Sequence, residues 1–329
     1  MAQKIRWGFI STGKIAHTLA QTITPMDDAE IVAVGSRTQE AAESFGAQYG
    51  IKKCYGTYEE LAHDPDVDVI YIATPHNLHY DNMKLCLNAG KHVLCEKAFT
   101  LNAAQAAECI ALAREKGLFL MEAMWTRYFP AVKRARAMIS DGTLGDVRAL
   151  RAELCLDLDK DPSRRIYSPH LAGGALLDVG IYPLSFAIHM FGFPQVVNTT
   201  VHMAETGVDE YETMQFGWDN GRMAYLAAGV LFDSPRDAVI MGTKGWVRLV
   251  GTHFIKPHTL VLKLKDQAEQ VLDFSYPSTG YQYEIEEVHA CLRAGKLESD
   301  LMPLDESLKI MQLMDSIRAQ WGLKYPEEQ

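Results

Sequence analysis

Over its first 120 or so residues the chain alternates short apolar runs with helical stretches, and this alternation constrains its fold most. Ile5–Ser11, Glu30–Ser36, Val67–Ala73, His92–Cys95 and Leu118–Met121 read as strands. Lys14–Ile23, Gln39–Tyr49, His79–Ala89 and Ala103–Lys116 between them read as helices. Strands separated by helices need crossover connections, so they form a parallel sheet with helices on both faces and right-handed winding. Ligands of such sheets sit beyond the carboxyl ends of the strands. The residues that follow each apolar run are therefore the first place to look for chemistry.

The pattern changes after Trp125. A helix is expected at Pro130–Ser140 and a longer strand at Val147–Leu158. A loop containing Pro, Arg and Gly follows over Asp159–Gly174, and then a helix at Ile181–Phe191. Strand-like runs come next at Val196–Met203, Glu212–Trp218, Arg222–Ala228, Ala238–Gly242, Trp246–Val250 and Leu260–Leu264. Helices at Tyr283–Arg293 and Leu304–Gln320 close the chain. Asp219-Asn220-Gly221 is a strong hairpin signal. Successive strands joined by turns form a mostly antiparallel sheet. The expected fold class is α/β: a parallel-sheet domain over residues 1–123, then an α+β domain over residues 124–329 with a large, mostly antiparallel open sheet.

The 329 residues suffice for two such domains. A net charge of −10 argues against nonspecific nucleic-acid binding. Six cysteines, none in Cys-x-x-Cys spacing, offer no zinc or redox motif and suggest a reducing compartment. Met1–Arg6 enters the first strand without the apolar core of a signal peptide, and no run of about 18 apolar residues suggests a membrane span. The expected location is the cytoplasm, with neither nucleic acid nor membrane as a partner.

Strand one passes into helix one through Gly8-Phe9-Ile10-Ser11-Thr12-Gly13-Lys14-Ile15-Ala16. This is the place of the dinucleotide-binding turn G-x-G-x-x-G/A, here Ser11-x-Gly13-x-x-Ala16, with serine for the first glycine. Gly13 lets backbone approach a pyrophosphate and Ala16 lets helix and strand pack closely. The amides and positive end of the helix favour phosphate. Ser11, Thr12, Gly13, Lys14 and Ile15 are thus the expected phosphate turn of a Rossmann domain. NAD-binding domains place Asp or Glu at the end of the second strand, where it accepts from the ribose 2′-hydroxyl. Ser36, Arg37 and Thr38 stand there instead, hydroxyl donors and a guanidinium suited to a 2′-phosphate. NADP(H) is therefore the expected cofactor. Thr74 and His76, beyond the strand that ends at Ala73, are expected beside the nicotinamide ribose or the bridging phosphates, with His79 close by. His76 and His79 are three apart, but no third ligand accompanies them, so no metal is expected.

The apolar run Val93-Leu94-Cys95 stops at Glu96-Lys97, which puts Lys97 at the mouth of the crevice as an anion ligand, a proton-transfer partner or an ordinary surface lysine. A second cluster is Gly173-Gly174-Ala175-Leu176-Leu177-Asp178-Val179-Gly180-Ile181-Tyr182-Pro183. Its glycines let backbone come close to a ligand. Asp178 and Tyr182 are four apart and share a helix face. A phenol near pKa 10 is a poor base at neutral pH, and a neighbouring ammonium lowers that value. From the residues alone, Lys97, Asp178 and Tyr182 read equally as a proton-transfer set or as a helix cap and a core tyrosine.

Taken in order, Ser11-x-Gly13, Gly90 to Lys97 and Gly173 to Tyr182 resemble the Gfo/Idh/MocA oxidoreductases over essentially the whole chain. Arg6-Trp7-Gly8, Phe119 to Arg127 and Glu205-Thr206-Gly207-Val208-Asp209 are most similar to the branch of dimeric dihydrodiol dehydrogenases and NADP-linked D-xylose dehydrogenases. The resemblance implies a Rossmann domain followed by a domain with a large open sheet whose face makes a homodimer. The family's Glu-Lys-Pro motif falls on Glu96-Lys97-Ala98, which places Glu96 and Lys97 by the cofactor. Many members have histidine where this chain has Tyr182, and the branch has tyrosine. Trp125, Arg127 and Asp178 match positions near the substrate. The implied reaction moves hydride between NADP(H) and a hydroxyl or carbonyl of a vicinal diol or cyclic sugar. Tyr182 is its acid/base and Lys97 lowers the tyrosine's pKa. Asp178 orients Lys97 or a substrate hydroxyl. Trp125, and less so Phe129, offers an apolar face. Two other readings stand beside it. One is an NADPH sensor without turnover, which need not keep Lys97, Asp178 and Tyr182. The other is a sugar-modifying enzyme with tightly held NAD, against which Arg37 argues.

Overall fold

The computed structural model describes residues 4–328; Met1, Ala2 and Gln3 of the N-terminal segment lie outside the described residues, as does Gln329. The chain divides into two compact units, Met1–Trp125 with Ser278–Leu313, and Thr126–Pro277 with Met314–Gln329.

In the first unit the elements are β1 (Ile5–Ile10), α1 (Lys14–Ile23), β2 (Ala29–Gly35), α2 (Gln39–Tyr49), β3 (Lys53–Tyr55), α3 (Tyr58–Ala62), β4 (Val69–Ile72), α4 (His79–Asn88), β5 (His92–Glu96), α5 (Ala103–Lys116) and β6 (Leu120–Ala123). Every strand pair is parallel, in the order β3-β2-β1-β4-β5-β6. The winding reverses between β1 and β4, which opens a ligand crevice beyond their carboxyl ends. Val69–Ile72 and Val93–Cys95 are wholly buried, as central strands covered on both faces must be. Thr38, Thr57 and Asn102 cap α2, α3 and α5 by accepting the amides of Ala41, Glu60 and Gln105. Left-handed Gly50 and Gly117 end α2 and α5. β3 and α3 escaped the sequence pattern because elements of three and five residues are too short to register a period.

The second unit holds α6 (Pro130–Ser140), β7 (Val147–Cys155), α7 (Ile181–Phe191), β8 (Val196–Met203), β9 (Asp209–Gly217), β10 (Met223–Gly229), β11 (Ala238–Gly242), β12 (Gly245–Gly251), β13 (Pro257–Leu264) and β14 (Gln270–Asp273). They form an eight-stranded sheet, β14-β13-β12-β11-β7-β10-β9-β8, antiparallel except where β10 pairs with β7. The hairpin β9–β10 turns at Asp219-Asn220-Gly221 as expected, with Gly221 at φ 79°. One face, carrying Leu150, Ala152, Met214, Leu226, Ile240 and Leu249, is buried, and α7 packs against β7 and β10. Opposite in register, Gln215, Tyr225, Arg151, Val239 and Arg248 run as one row across five strands on the other face. The segment Pro169–Phe191 is long and apolar enough to cross a membrane, contrary to the expectation that no such run exists. Most of it (89%) is buried, as in a core helix.

α8 (Gln282–Arg293) and the first part of α9 (Leu304–Trp321) return to the first unit. Trp7 donates its indole N–H to His289 Nε2 at 3.1 Å, which leaves the proton on Nδ1 to reach Asp28 at 3.0 Å. The Leu120 amide donates to the Leu297 carbonyl at 3.1 Å. The division thus differs from the expected boundary at residues 123/124: residues 278–313 group with the parallel sheet. A Trp–His–Asp chain spanning most of the sequence leaves no local pattern to read.

Candidate active site

The first half of the site gathers at the carboxyl ends of β1, β2, β4 and β5. Ser11 stands at φ 89°, a conformation glycine adopts freely and serine does not. Its hydroxyl accepts the Gly13 amide at 3.2 Å. A Cβ on Gly13 would meet only the Ser11 hydroxyl, at 3.5 Å, so internal packing does not call for glycine there. α1 has no side-chain cap and no acid in its first turn, which leaves its positive end open to an anion. Thr12 and Ser36 hydrogen-bond at 3.3 Å, tying this turn to the end of β2. Lys14 and Arg37 are exposed. Ser11→Gly should raise the stability of the unit by about 1 kcal/mol. A non-glycine residue at such φ costs roughly 1–3 kcal/mol, and the lost hydroxyl bond and the freer unfolded glycine offset part of the gain. A lower thermal midpoint would show that the Ser11–Gly13 bond outweighs the strain.

Three residues expected to touch the cofactor have other partners. The Thr38 hydroxyl oxygen caps α2 through the Ala41 amide at 3.2 Å. The buried carboxylate of Glu96 accepts the Tyr71 hydroxyl at 2.5 Å. His79 is wholly buried, its ring nitrogens each 2.8 Å from a carbonyl, of Thr74 and of Ala98, so the side chain ties the end of β4 to the residue after Lys97. Thr74 is 7% exposed and its hydroxyl accepts from Asn82 at 3.1 Å; His76 is 5% exposed and meets the His79 ring edge-on. No metal-holding cluster of His, Cys, Asp or Glu occurs among the described residues. Lys97 follows β5, half-buried, and the Lys97–Ala98 peptide is cis.

Burial holds the pKa of His79 at about 4, against the pull of its two carbonyls, so the ring is neutral at neutral pH. Unfolding restores a value near 6.5. The unfolded chain therefore takes up the extra proton below pH 6.5, and folding weakens as pH falls toward 4. His79 alone contributes about 3 kcal/mol of that loss. Burial lowers His92, His189, His253 and His289 in the same direction. His79→Gln should flatten the slope of denaturation midpoint against pH in this window. An unchanged slope would rule His79 out as its source.

Trp125 is 4% exposed, and Tyr281 stacks on it at 4.1 Å and 9°. One face of the indole is thus covered by a residue that sequence reading did not single out. In the second unit Phe129 is fully buried against Tyr276. Arg127, expected near substrate, is 2% exposed and donates to Ser185 on α7 at 2.8 and 3.3 Å, so it braces the helix whose first turn carries Tyr182.

Leu176–Gly180 form a π-helical turn that runs into α7. Such turns recur at functional sites. Asp178 in that turn accepts from Arg165 at 3.0 Å, and Tyr182 is 7% exposed. Arg165 sits in the loop before the glycines, and nothing in its local sequence announces the pairing. The glycines themselves were read as making room for a ligand. Instead, a Cβ at Gly173 would strike the carbonyls of Arg165 and Ile166, one at Gly174 would strike Asp209, and one at Gly180 would strike Glu212. They allow the turn to close on its own unit.

Known proteins were compared with this site in hand. Residues 5–124 match the family model described as the oxidoreductase family, NAD-binding Rossmann fold, and residues 132–248 match the GFO/IDH/MocA C-terminal domain. The trans-1,2-dihydrobenzene-1,2-diol dehydrogenase of Xenopus tropicalis is 38% identical, over 98% of this chain and 99% of that protein. The Chain belongs to the Gfo/Idh/MocA family. The human protein of the same name is 37% identical over the same shares. A 3-ketoreductase from Actinomadura kijaniata, solved with NADP and TDP-benzene, superposes with TM-score 0.85 at 25% identity, over 96% of this chain and 98% of that one. An aldose-aldose oxidoreductase from Caulobacter crescentus gives TM-score 0.88 at 24% identity, over 98% and 99% of the two chains, and shares the fold. This member of the family is an NAD(P)-dependent dehydrogenase. Its own residues fit the cofactor: Ser11–Ile15 with the uncapped start of α1 would hold the pyrophosphate, and Ser36 with Arg37 would face the adenosine ribose.

Proposed function

We propose that the chain is an NADP(H)-dependent dehydrogenase that interconverts a hydroxyl and a carbonyl on a vicinal diol or cyclic sugar. The observation that carries this reading is the pair of Asp178, on the π-turn and held by Arg165, and Tyr182, at the start of α7, in a chain that also carries an open phosphate turn with Arg37 beside it. The names of the relatives support a diol, and the exposed guanidinium with no carboxylate at the end of β2 supports a 2′-phosphate.

The bound nicotinamide supplies the hydride acceptor or donor. Tyr182 takes the proton of the substrate hydroxyl in oxidation and returns it in reduction. The ammonium of Lys97 favours the developing alkoxide. Asp178 orients a second substrate hydroxyl, and Trp125 borders the apolar part of the ring. Lys97→Met should lose most turnover while NADPH, followed by its fluorescence, still binds. Retained turnover would remove Lys97 from the reaction.

The open face of the second sheet supports a homodimer, since Val196, Met223 and Tyr225 stand 52%, 44% and 49% exposed on it. A monomer mass by light scattering would contradict this assembly. Six free thiols support a reducing compartment, the cytoplasm.

A further inference from the structure

The turn that carries Asp178 and leads into Tyr182 on α7 is held by residues that the proposed chemistry does not use. Ala175, where the helical backbone starts, provides no side-chain cap. The amide of Leu176 is met instead by Asp209, the first residue of β9, 33 positions on: Oδ2 accepts it at 2.5 Å. Asp209 is fully buried. Its Oδ1 has no hydrogen-bond partner among the described residues and stands where a Cβ on Gly174 would lie. Gly174 is at φ 112°, which suits glycine. Further along β9, Glu212 is equally buried, with Oε1 where a Cβ on Gly180 would lie. From another side Tyr325 donates to the Gly173 carbonyl at 2.6 Å.

A buried carboxylate is costly, and a side-chain cap at Ala175 would reach the amide of Leu177 or Asp178 and leave that of Leu176 unmet. A cap delivered from β9 does what a local cap does not, because it fixes the turn to the sheet. We infer that Asp209 is a positioning residue, which sets where Asp178 and Tyr182 stand by capping their helix from a neighbouring strand. The inference rests on reading those two as the reacting pair. Burial raises Asp209 to about 6, with the Leu176 amide pulling the other way, and burial pushes Glu212 up further. A negative charge on Asp209 lies at the positive end of the helix, where it is most favourable.

Asp209→Ala removes the acceptor, and Asp209→Asn keeps an oxygen in its place. Per folded molecule, titrated with NADPH, Asp209→Ala should lower kcat by about 10- to 100-fold, the scale of a small misplacement of reacting groups. KM for the nucleotide should be unchanged and amide exchange over residues 175–180 faster. Asp209→Asn should recover kcat to within a few-fold. Wild-type kcat in folded Asp209→Ala overturns the proposal. If that variant does not fold, Asp209→Ser, whose shorter side chain draws the acceptor back, decides: wild-type kcat with faster exchange over residues 175–180 overturns the proposal, and lowered kcat with faster exchange supports it. Turnover retained in Tyr182→Phe would instead sink the reading of the pair. An inactive Tyr182→Phe beside a fully active Asp209→Ala would sink the positioning role alone.

Discussion

Tyr182→Phe should lower kcat by about 10²- to 10⁴-fold, the range that a positioned acid/base contributes, and leave NADPH binding intact. The substitution removes one oxygen and its proton from a side chain that is 7% exposed, so the packing at the start of α7 is kept. Arg127 still braces the next turn through Ser185 and Asp178 still meets Arg165. A loss of turnover therefore reports on the proton, not on the fold. Oxidation by the wild type should rise with pH, because the reaction needs the base form, and the variant's residual rate should lose that rise. Near-normal turnover across pH would hand the acid/base role to Lys97 or to a histidine.

Arg37→Glu should weaken NADPH binding by about 100-fold and leave NADH binding within a few-fold of its starting value. A charged hydrogen bond contributes roughly 1.5–3 kcal/mol, and a carboxylate in its place adds repulsion to the 2′-phosphate. NADH carries a hydroxyl there, which a carboxylate accepts from. Arg37 is exposed at the start of α2, whose cap is the Thr38 hydroxyl, so the fold does not depend on it. Equal weakening of both nucleotides would place Arg37 elsewhere than the 2′-phosphate.

Local chemistry made much of this legible. The period of the apolar runs announced five of the six parallel strands, and Asp219-Asn220-Gly221 announced its hairpin. Ser11-x-Gly13 was legible as a turn between β1 and α1 because its neighbours in sequence are its neighbours in space. What escaped depends on pairs distant in sequence. His289 meets Trp7 and Asp28, Tyr281 covers Trp125, and Asp209 caps Leu176. Gly174 and Gly180 declared that something comes close but not what, and the partners are acids of their own unit. Arg127 and His79 were singled out by type and position, yet their polar atoms turn inward to Ser185 and to two backbone carbonyls. Type and spacing show which residues matter more readily than which way their side chains point.

The central claim is NADP-linked oxidation of a diol or sugar hydroxyl, and a panel of cyclic vicinal diols and aldoses with NADP⁺, followed by NADPH absorbance, tests it most directly. NADPH should form with at least one of them, and far more slowly with NAD⁺ in its place. Nucleotide that binds but is reduced by none of them, in a protein that also fails to oxidise NADPH with the matching dicarbonyls and keto sugars, would contradict it.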